Sequence, residues 1–205
     1  ADALWEGVSG FTTTGLSVMD TSTLSYSMLY WRSFTQWAGG IAIVLIFLIL
    51  IPLIGIGGKS FFNNELAGYN TYNFTMSMKK AAMGFSAIYL LLSVAEVLLL
   101  LLVGTGVFES VTIMFCTIST GGFLSVGNSI GDYSFAVQAI VIVFMFLGGT
   151  NFFLHFRAIF KREYKIYGKS QELKWTILWL LAATAMIVFI LALKEWDVYG
   201  SNLGQ

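Results

Sequence analysis

The chain has 205 residues, 57% of them hydrophobic and only 11% charged, and its eleven basic and eleven acidic side chains leave no net charge. A soluble domain carries roughly 25% charged residues, so there is too little charge here to coat a water-facing surface, and lipid must solvate much of the exterior. Neutrality excludes the basic footprint of a nucleic-acid-binding protein. The single cysteine, Cys116, excludes an intrachain disulfide, and the lone His155 has no His or Cys at metal-ligand spacing.

No basic region precedes an apolar run at Ala1, so no signal peptide is expected. A short, moderately apolar stretch from Ala3 to Phe11 runs into Thr12-Thr13-Thr14-Gly15. An uncharged run from Ser33 to Gly58 follows, with Pro52 predicted to bend or end it. After a polar segment, a second apolar run extends from Ala81 to Val107, broken only by Glu96. Val107 to Phe115 is again short, and leads into Thr117-Ile118-Ser119-Thr120-Gly121-Gly122. The last two apolar runs are Tyr133 to Phe156 and Trp175 to Leu193. A spanning helix needs about 20 mostly apolar residues, and the four long runs each meet that need.

Lys and Arg set the orientation. Lys59, Lys79 and Lys80 lie in segment 59–80, and Arg157, Lys161, Arg162, Lys165, Lys169 and Lys174 in segment 157–174. Four crossings put both segments on one side, which the excess of basic residues makes cytoplasmic. Asp2, Glu6, Asp20, Glu109, Asp132, Glu195 and Asp197 then fall outside.

The two short apolar stretches resemble each other. Trp5-Glu6 precedes the first hydroxyl run and Phe108-Glu109 the second, and each run is followed by a helix with a glycine pair, Gly39-Gly40 or Gly148-Gly149. A half-helix too short to span, followed by hydroxyl residues and glycine, reads as a re-entrant loop, a form that survives at membrane depth only where protein buries it or water wets it. Repeated units that each supply one loop can enclose a shared axis. The fold expected is an all-α membrane protein of repeated helix–pore loop–helix units. Residues 1–58 supply the loop and second helix of repeat one, 59–80 a cytoplasmic loop, 81–156 a complete repeat two, 157–174 a basic cytoplasmic loop, and 175–205 the first helix of repeat three with an outer tail. The chain thus reads as a piece of a longer protein.

A cation stripped of water needs oxygens, and rings of backbone carbonyls supply them in ion filters. Glycine permits the backbone turns that aim carbonyls inward, and the partly negative C-terminus of each half-helix favours a cation. The carbonyls of Thr12, Thr13 and Thr14, with those of Ile118, Ser119 and Thr120, are the predicted ligands; Gly15 and Gly121 are the predicted hinges, and Gly122 completes the second site. Neither loop holds a carboxylate, which argues against a divalent ion. Ser, Thr and Gly also fill ordinary turns, so one such run would carry little; two in matching places carry more. The glycine pairs read first as helix-packing positions. Glu96, an acid within a span, is a functional candidate by default. Gln138 and Asn151 are expected to bridge helices, His155 to lie at the interface, and Cys116 to be buried packing.

These motifs resemble those of the Trk/Ktr/HKT potassium transporter superfamily, and within it the bacterial Trk potassium-uptake family. Gly7-Val-Ser-Gly-Phe-Thr-Thr-Thr-Gly-Leu-Ser17 resembles its first pore loop and Trp31-Arg-Ser-Phe-Thr-Gln-Trp-Ala-Gly-Gly-Ile41 the helix after it; Thr117-Ile-Ser-Thr-Gly-Gly-Phe123 and Phe146-Leu-Gly-Gly-Thr-Asn-Phe-Phe-Leu-His-Phe156 resemble the second loop and its helix. The resemblance implies four repeats around one pore, potassium as substrate with no cofactor, a bacterial plasma-membrane location, a homodimer, and a cytoplasmic nucleotide-sensing RCK regulatory ring. The alternative is an ion-coupled secondary carrier, whose repeats are often inverted; here both loops enter from one side. An enzyme is not expected, since no Ser/His or Cys/His pairing, paired acids or HExxH motif is present.

Overall fold

A computed structural model describes residues 2–54, 71–123 and 129–202. Among them every regular element is helical. The first compact unit, Ala1–Phe156, opens with α1 (Asp2–Phe11), a 10-residue helix. α2 (Tyr26–Ile54) and α3 (Thr71–Leu102) are long and apolar nearly all round, the pattern of a helix whose surroundings are protein and lipid. α4 (Val107–Ile118) is again short. At 1.5 Å per residue α1 and α4 measure about 15 and 18 Å, half the depth of the hydrocarbon core. α5 (Phe135–Gly149) and the first residues of α6 (Phe152–Phe160) complete the unit.

α4 is the hub. It packs against α2, α3 and α5, whereas α1 packs against α2. Around α4 the buried Phe115, Met114 and Ile118 meet Phe85, Ile88 and Tyr89 of α3, Phe144 of α5 and Phe152 of α6. Tyr30, Phe34 and Trp37 of α2 set their rings against Phe115. Two polar links fasten α2 to α3: Trp37 Nε1 donates to Ser93 Oγ at 3.0 Å, and the Tyr89 hydroxyl to the Trp37 carbonyl at 2.9 Å. In an apolar medium such bonds are retained because nothing else can satisfy the groups.

Among the described residues two helices are long and apolar enough to cross a membrane, over Lys79–Leu102 and Gln171–Ala192, and a bent pair makes a third candidate. That pair corrects an expectation. The run from Tyr133 to Phe156 is not one straight span, because the chain bends by 94° between α5 and α6. Thr150 turns extended (φ −81°, ψ 145°) and the Asn151 side chain accepts the Phe153 amide at 3.0 Å, starting a new helix. The bend carries His155 back, so that it is buried and donates to the Leu147 carbonyl at 2.9 Å. His155 therefore closes a helix end from inside the protein. Gln138 likewise does not bridge helices: its Nε2 donates to the Gly131 and Tyr133 carbonyls just upstream. Pro52 sits two residues before Ile54, inside the last turn described for α2. Most of segment 59–80 lies outside the described residues.

The second unit is Arg157–Gln205. Arg157 pairs with Glu163, and Arg162 takes a left-handed φ of 56° where the chain turns. A single turn, α7 (Ile166–Lys169), leads to α8 (Gln171–Asn202), whose first turn is capped by Ser170 Oγ accepting the Leu173 amide. None of the apolar stretch Gln171–Ala192 is buried. A stretch this apolar with none of its side chains buried requires lipid or further protein around it.

Candidate ion-conducting site

The two half-helices end in the same way. In α1 the Thr13 amide donates to the Gly10 carbonyl at 3.0 Å and the Thr14 amide to Ser9 at 2.9 Å; in α4 the Thr120 amide donates to Thr117 and the Gly121 amide to Cys116, both at 2.9 Å. This is the Schellman closure, in which a left-handed residue turns the chain off the helix axis. Glycine usually takes that place. Here a threonine does so twice, Thr13 at φ 55° and Thr120 at φ 53°. A β-branched residue adopts this conformation at a cost, which persists only where the surroundings impose it. Two positions on, Gly15 at φ 76° and Gly122 at φ 86° are left-handed again. The second hinge is therefore Gly122, not Gly121.

The match continues outward at one constant offset. Thr12 Oγ1 donates to the Val8 carbonyl at 2.7 Å, and Ser119 Oγ to Phe115 at 2.7 Å. Ser9 Oγ donates to the Leu16 carbonyl at 2.6 Å, and the Cys116 thiol to Phe123. Cys116 is thus a loop brace as well as packing. The first glycine of each pair receives a carbonyl from its own half-helix: a Cβ on Gly39 would overlap the Phe11 oxygen, and one on Gly148 the Ile118 oxygen. These glycines are demanded by backbone approach. In this register Ser119 is the counterpart of Thr12, and Ile118 that of Phe11. Glu109 falls opposite Asp2 and Glu6 opposite Ile113, so the pairing of Trp5-Glu6 with Phe108-Glu109 is out by about one helical turn.

The loops meet. A Cβ on Gly15 would overlap the Gly121 carbonyl oxygen. Gly40, beside Gly39, faces the other loop, and a Cβ there would press on the Tyr89 hydroxyl at 2.6 Å and on Ser119 Cβ at 2.9 Å. One glycine pair thus seats its own loop with one residue and the neighbouring loop with the next.

Loop one has a charged brace that nothing in the hydroxyl run announced. Glu6 is buried; its Oε1 accepts from Ser17 Oγ at 2.7 Å, from the Val18 amide at 2.8 Å and from the Met19 amide at 3.3 Å. Its Oε2 pairs with Arg32, which is buried as well and whose Nη2 also reaches Ser17 Oγ at 2.8 Å. Charge-assisted bonds of this kind are the strong ones. Arg32 and Gln36 stood inside a motif string yet carried no assigned role. Their signal was a buried-helix Arg and Gln one turn apart, with an acid in the half-helix upstream.

Glu96 is fully buried on the side of α3 facing α4, so it does not face lipid. Its carboxylate oxygens have no well-formed hydrogen bond, because the neighbouring Thr117 hydroxyl donates to the Ile113 carbonyl at 2.8 Å. Among the described residues no cluster of His, Cys, Asp and Glu could hold a metal ion. What the loops offer is neutral oxygen: two short stretches of backbone and hydroxyl at the C-terminal, partly negative ends of two half-helices.

Half-helix, hydroxyl–glycine loop and a following apolar helix, repeated in an all-helical membrane unit with the two loops in one register, define a pore-loop membrane protein. The family model described as "TrkH: Cation transport protein" matches residues 1–196, and the chain belongs to that family. It is 31% identical over 205 residues to the Trk system potassium uptake protein TrkH of Escherichia coli K12, covering 98% of this chain and 42% of the relative. It is 30% identical over 204 residues to TrkG of the same strain. The crystal structure of the potassium transporter TrkH from Vibrio parahaemolyticus superposes with a TM-score of 0.73 at 31% identity, over 86% of this chain and 36% of that one. The chain therefore spans about 42% of the length of the curated relatives it matches first.

Proposed function

We propose that the full-length protein carries potassium across the bacterial inner membrane through a pore whose filter includes both loops. The ion loses its water and is held by backbone carbonyls of Thr12, Thr13, Thr14 and Gly15 and of Ser119, Thr120 and Gly122, with the Gly121 oxygen turned onto Gly15 to join the loops. Ile118, whose oxygen is turned to Gly148, stays behind the ring. The observation that carries this reading is the abutment of two loops of identical backbone form at Gly15 and Gly121. Membership of the family and likeness to potassium uptake proteins support potassium as the substrate. No cofactor enters the reading, and the protein acts as a transporter, not an enzyme. Segments 59–80 and 157–174 face the cytoplasm, the protein works as a homodimer, and a nucleotide-sensing RCK ring binds the cytoplasmic side. The repeat boundaries read from the sequence belong to the same proposal.

The test is potassium uptake by the full-length protein in cells lacking other uptake systems, with sodium as competitor. Gly15→Ser and Gly121→Ser should lower discrimination against sodium at least about tenfold. Unchanged discrimination in both contradicts the filter. Strong labelling of a cysteine at Ser170 from outside intact cells contradicts the orientation.

A further inference from the structure

One face of α2 touches both loops. Arg32 and Gln36 are one helical turn apart, both buried, on the helix that follows loop one. Arg32 faces loop one through Glu6 and Ser17. Its guanidinium carbon also lies 4.3 Å from the centre of the Phe123 ring, at the end of loop two, within reach of a cation–π attraction. Gln36 takes the next position along. Its Oε1 accepts the Phe123 amide at 3.0 Å. The same amide group lies so close to Gly121 that a Cβ there would meet Gln36 Cδ at 2.5 Å. Gln36 Nε2 is fully buried and has no hydrogen-bond partner, an arrangement that costs free energy and that packing against Gly121 enforces.

We propose that Arg32 and Gln36 are positioning residues that lock the two loops into one register, so that ion discrimination depends on α2 of repeat one holding the loop of repeat two. This rests on the filter reading above and deepens it. The physical reason is that a neutral carbonyl filter discriminates by where its oxygens sit. Each loop has its own internal braces, but those fix a loop only to its own half-helix. The abutment of Gly15 on the Gly121 carbonyl brings the loops together without a hydrogen bond to set their height. Arg32 and Gln36 supply that reference: one is tied to Ser17 just past Gly15, the other to Phe123 just past Gly122. Both anchors fall after the left-handed glycine of the loop concerned, where the half-helix no longer dictates the backbone.

The experiment uses the full-length protein in proteoliposomes, measuring rubidium or potassium flux against sodium flux, with KM and maximal rate separately. Gln36→Met keeps the volume of the side chain and removes the acceptor for the Phe123 amide. It should lower discrimination against sodium about tenfold, while the maximal potassium rate falls by less. Arg32→Lys keeps the charge beside Glu6 but cannot hold Glu6 and Ser17 together over the Phe123 ring, and should lower discrimination several-fold. If Gln36→Met does not reach the membrane, Arg32→Lys alone decides. Unchanged discrimination in the inserted variant overturns the proposal, as does a loss of potassium flux in strict proportion to the amount of folded protein. Gly15→Ser and Gly121→Ser, measured alongside, separate the two claims: if Gly15→Ser alters discrimination while Gln36→Met and Arg32→Lys do not, the filter stands and the positioning role falls; if neither glycine variant has an effect, the filter reading fails.

Discussion

The two loops share a backbone and differ in what holds it. Loop one sits at the end of a half-helix packed by α2 and is fixed by a buried carboxylate that gathers Ser17, Val18, Met19 and Arg32. Loop two sits at the end of a half-helix enclosed by three others and, among the described residues, carries no charged group of its own; the Cys116 thiol, Gln36, the Arg32 guanidinium over Phe123 and apolar packing hold it. The same conformation is thus imposed once by strong polar bonds and once by enclosure. Strain at Thr13 and Thr120 is equal, φ 55° and 53°, so the conformation belongs to the repeat and the braces are local solutions.

The two left-handed glycines should respond differently although their φ values are close. Gly15→Ala drives a methyl into the Gly121 carbonyl, whereas a Cβ on Gly122 meets no atom within 4 Å. Gly122→Ala should cost only the left-handed penalty, about 1–2 kcal/mol. Gly15→Ala adds overpacking of about 1–3 kcal/mol on top. Thermal unfolding in detergent measures both, and equal losses would break the comparison.

Next comes the charged brace. Glu6→Gln leaves Arg32 buried without its counter-charge and should cost about 3–5 kcal/mol, read as a lower Tm or a smaller folded fraction. Glu109, half-buried on the other half-helix, has no such partner in the matching place, and Glu109→Gln should stay within about 0.5 kcal/mol. The glycine seats should respond alike: Gly39→Ala and Gly148→Ala each displace a half-helix carbonyl and should each lose about 1–3 kcal/mol. A large loss in one only would show that the repeats are not seated in the same way. Small as well is Cys116→Ser, which places in loop two the residue that Ser9 supplies in loop one. The bond to the Phe123 carbonyl is kept, and stability should change by less than about 1 kcal/mol.

The spans and half-helices were legible because length and unbroken apolar content are what a bilayer selects. The hydroxyl–glycine runs were legible because few side chains permit that backbone. The break at Thr150–Asn151 was hidden, since apolar residues continue on both sides and only a local cap, Asn151 to the Phe153 amide, marks it. The repeat register was not legible, because the acid in each half-helix, Glu6 or Glu109, sits at a different place in the repeat. The matching features are in fact hydrogen bonds from Ser9 and Cys116, two residue types that do not look alike. The Glu6–Arg32 pair joins residues 26 apart, a separation for which neither helical periodicity nor motif spacing gives a signal. Gly121 was legible as a required glycine, but for the wrong reason: it makes room for Gln36 and does not supply a turn.

The most direct measurement is the position of a heavy potassium analogue. Crystals of the full-length protein grown in rubidium or thallium, measured at an anomalous edge, should show scattering between the two loops. The peak should lie level with Thr12–Gly15 and Ser119–Gly122 and within coordination distance of the carbonyls of Thr12, Thr13, Thr14, Gly15, Ser119, Thr120 and Gly122. Anomalous density that is absent there, or that lies instead beside Glu96 or the Glu6–Arg32 pair, would contradict the carbonyl filter.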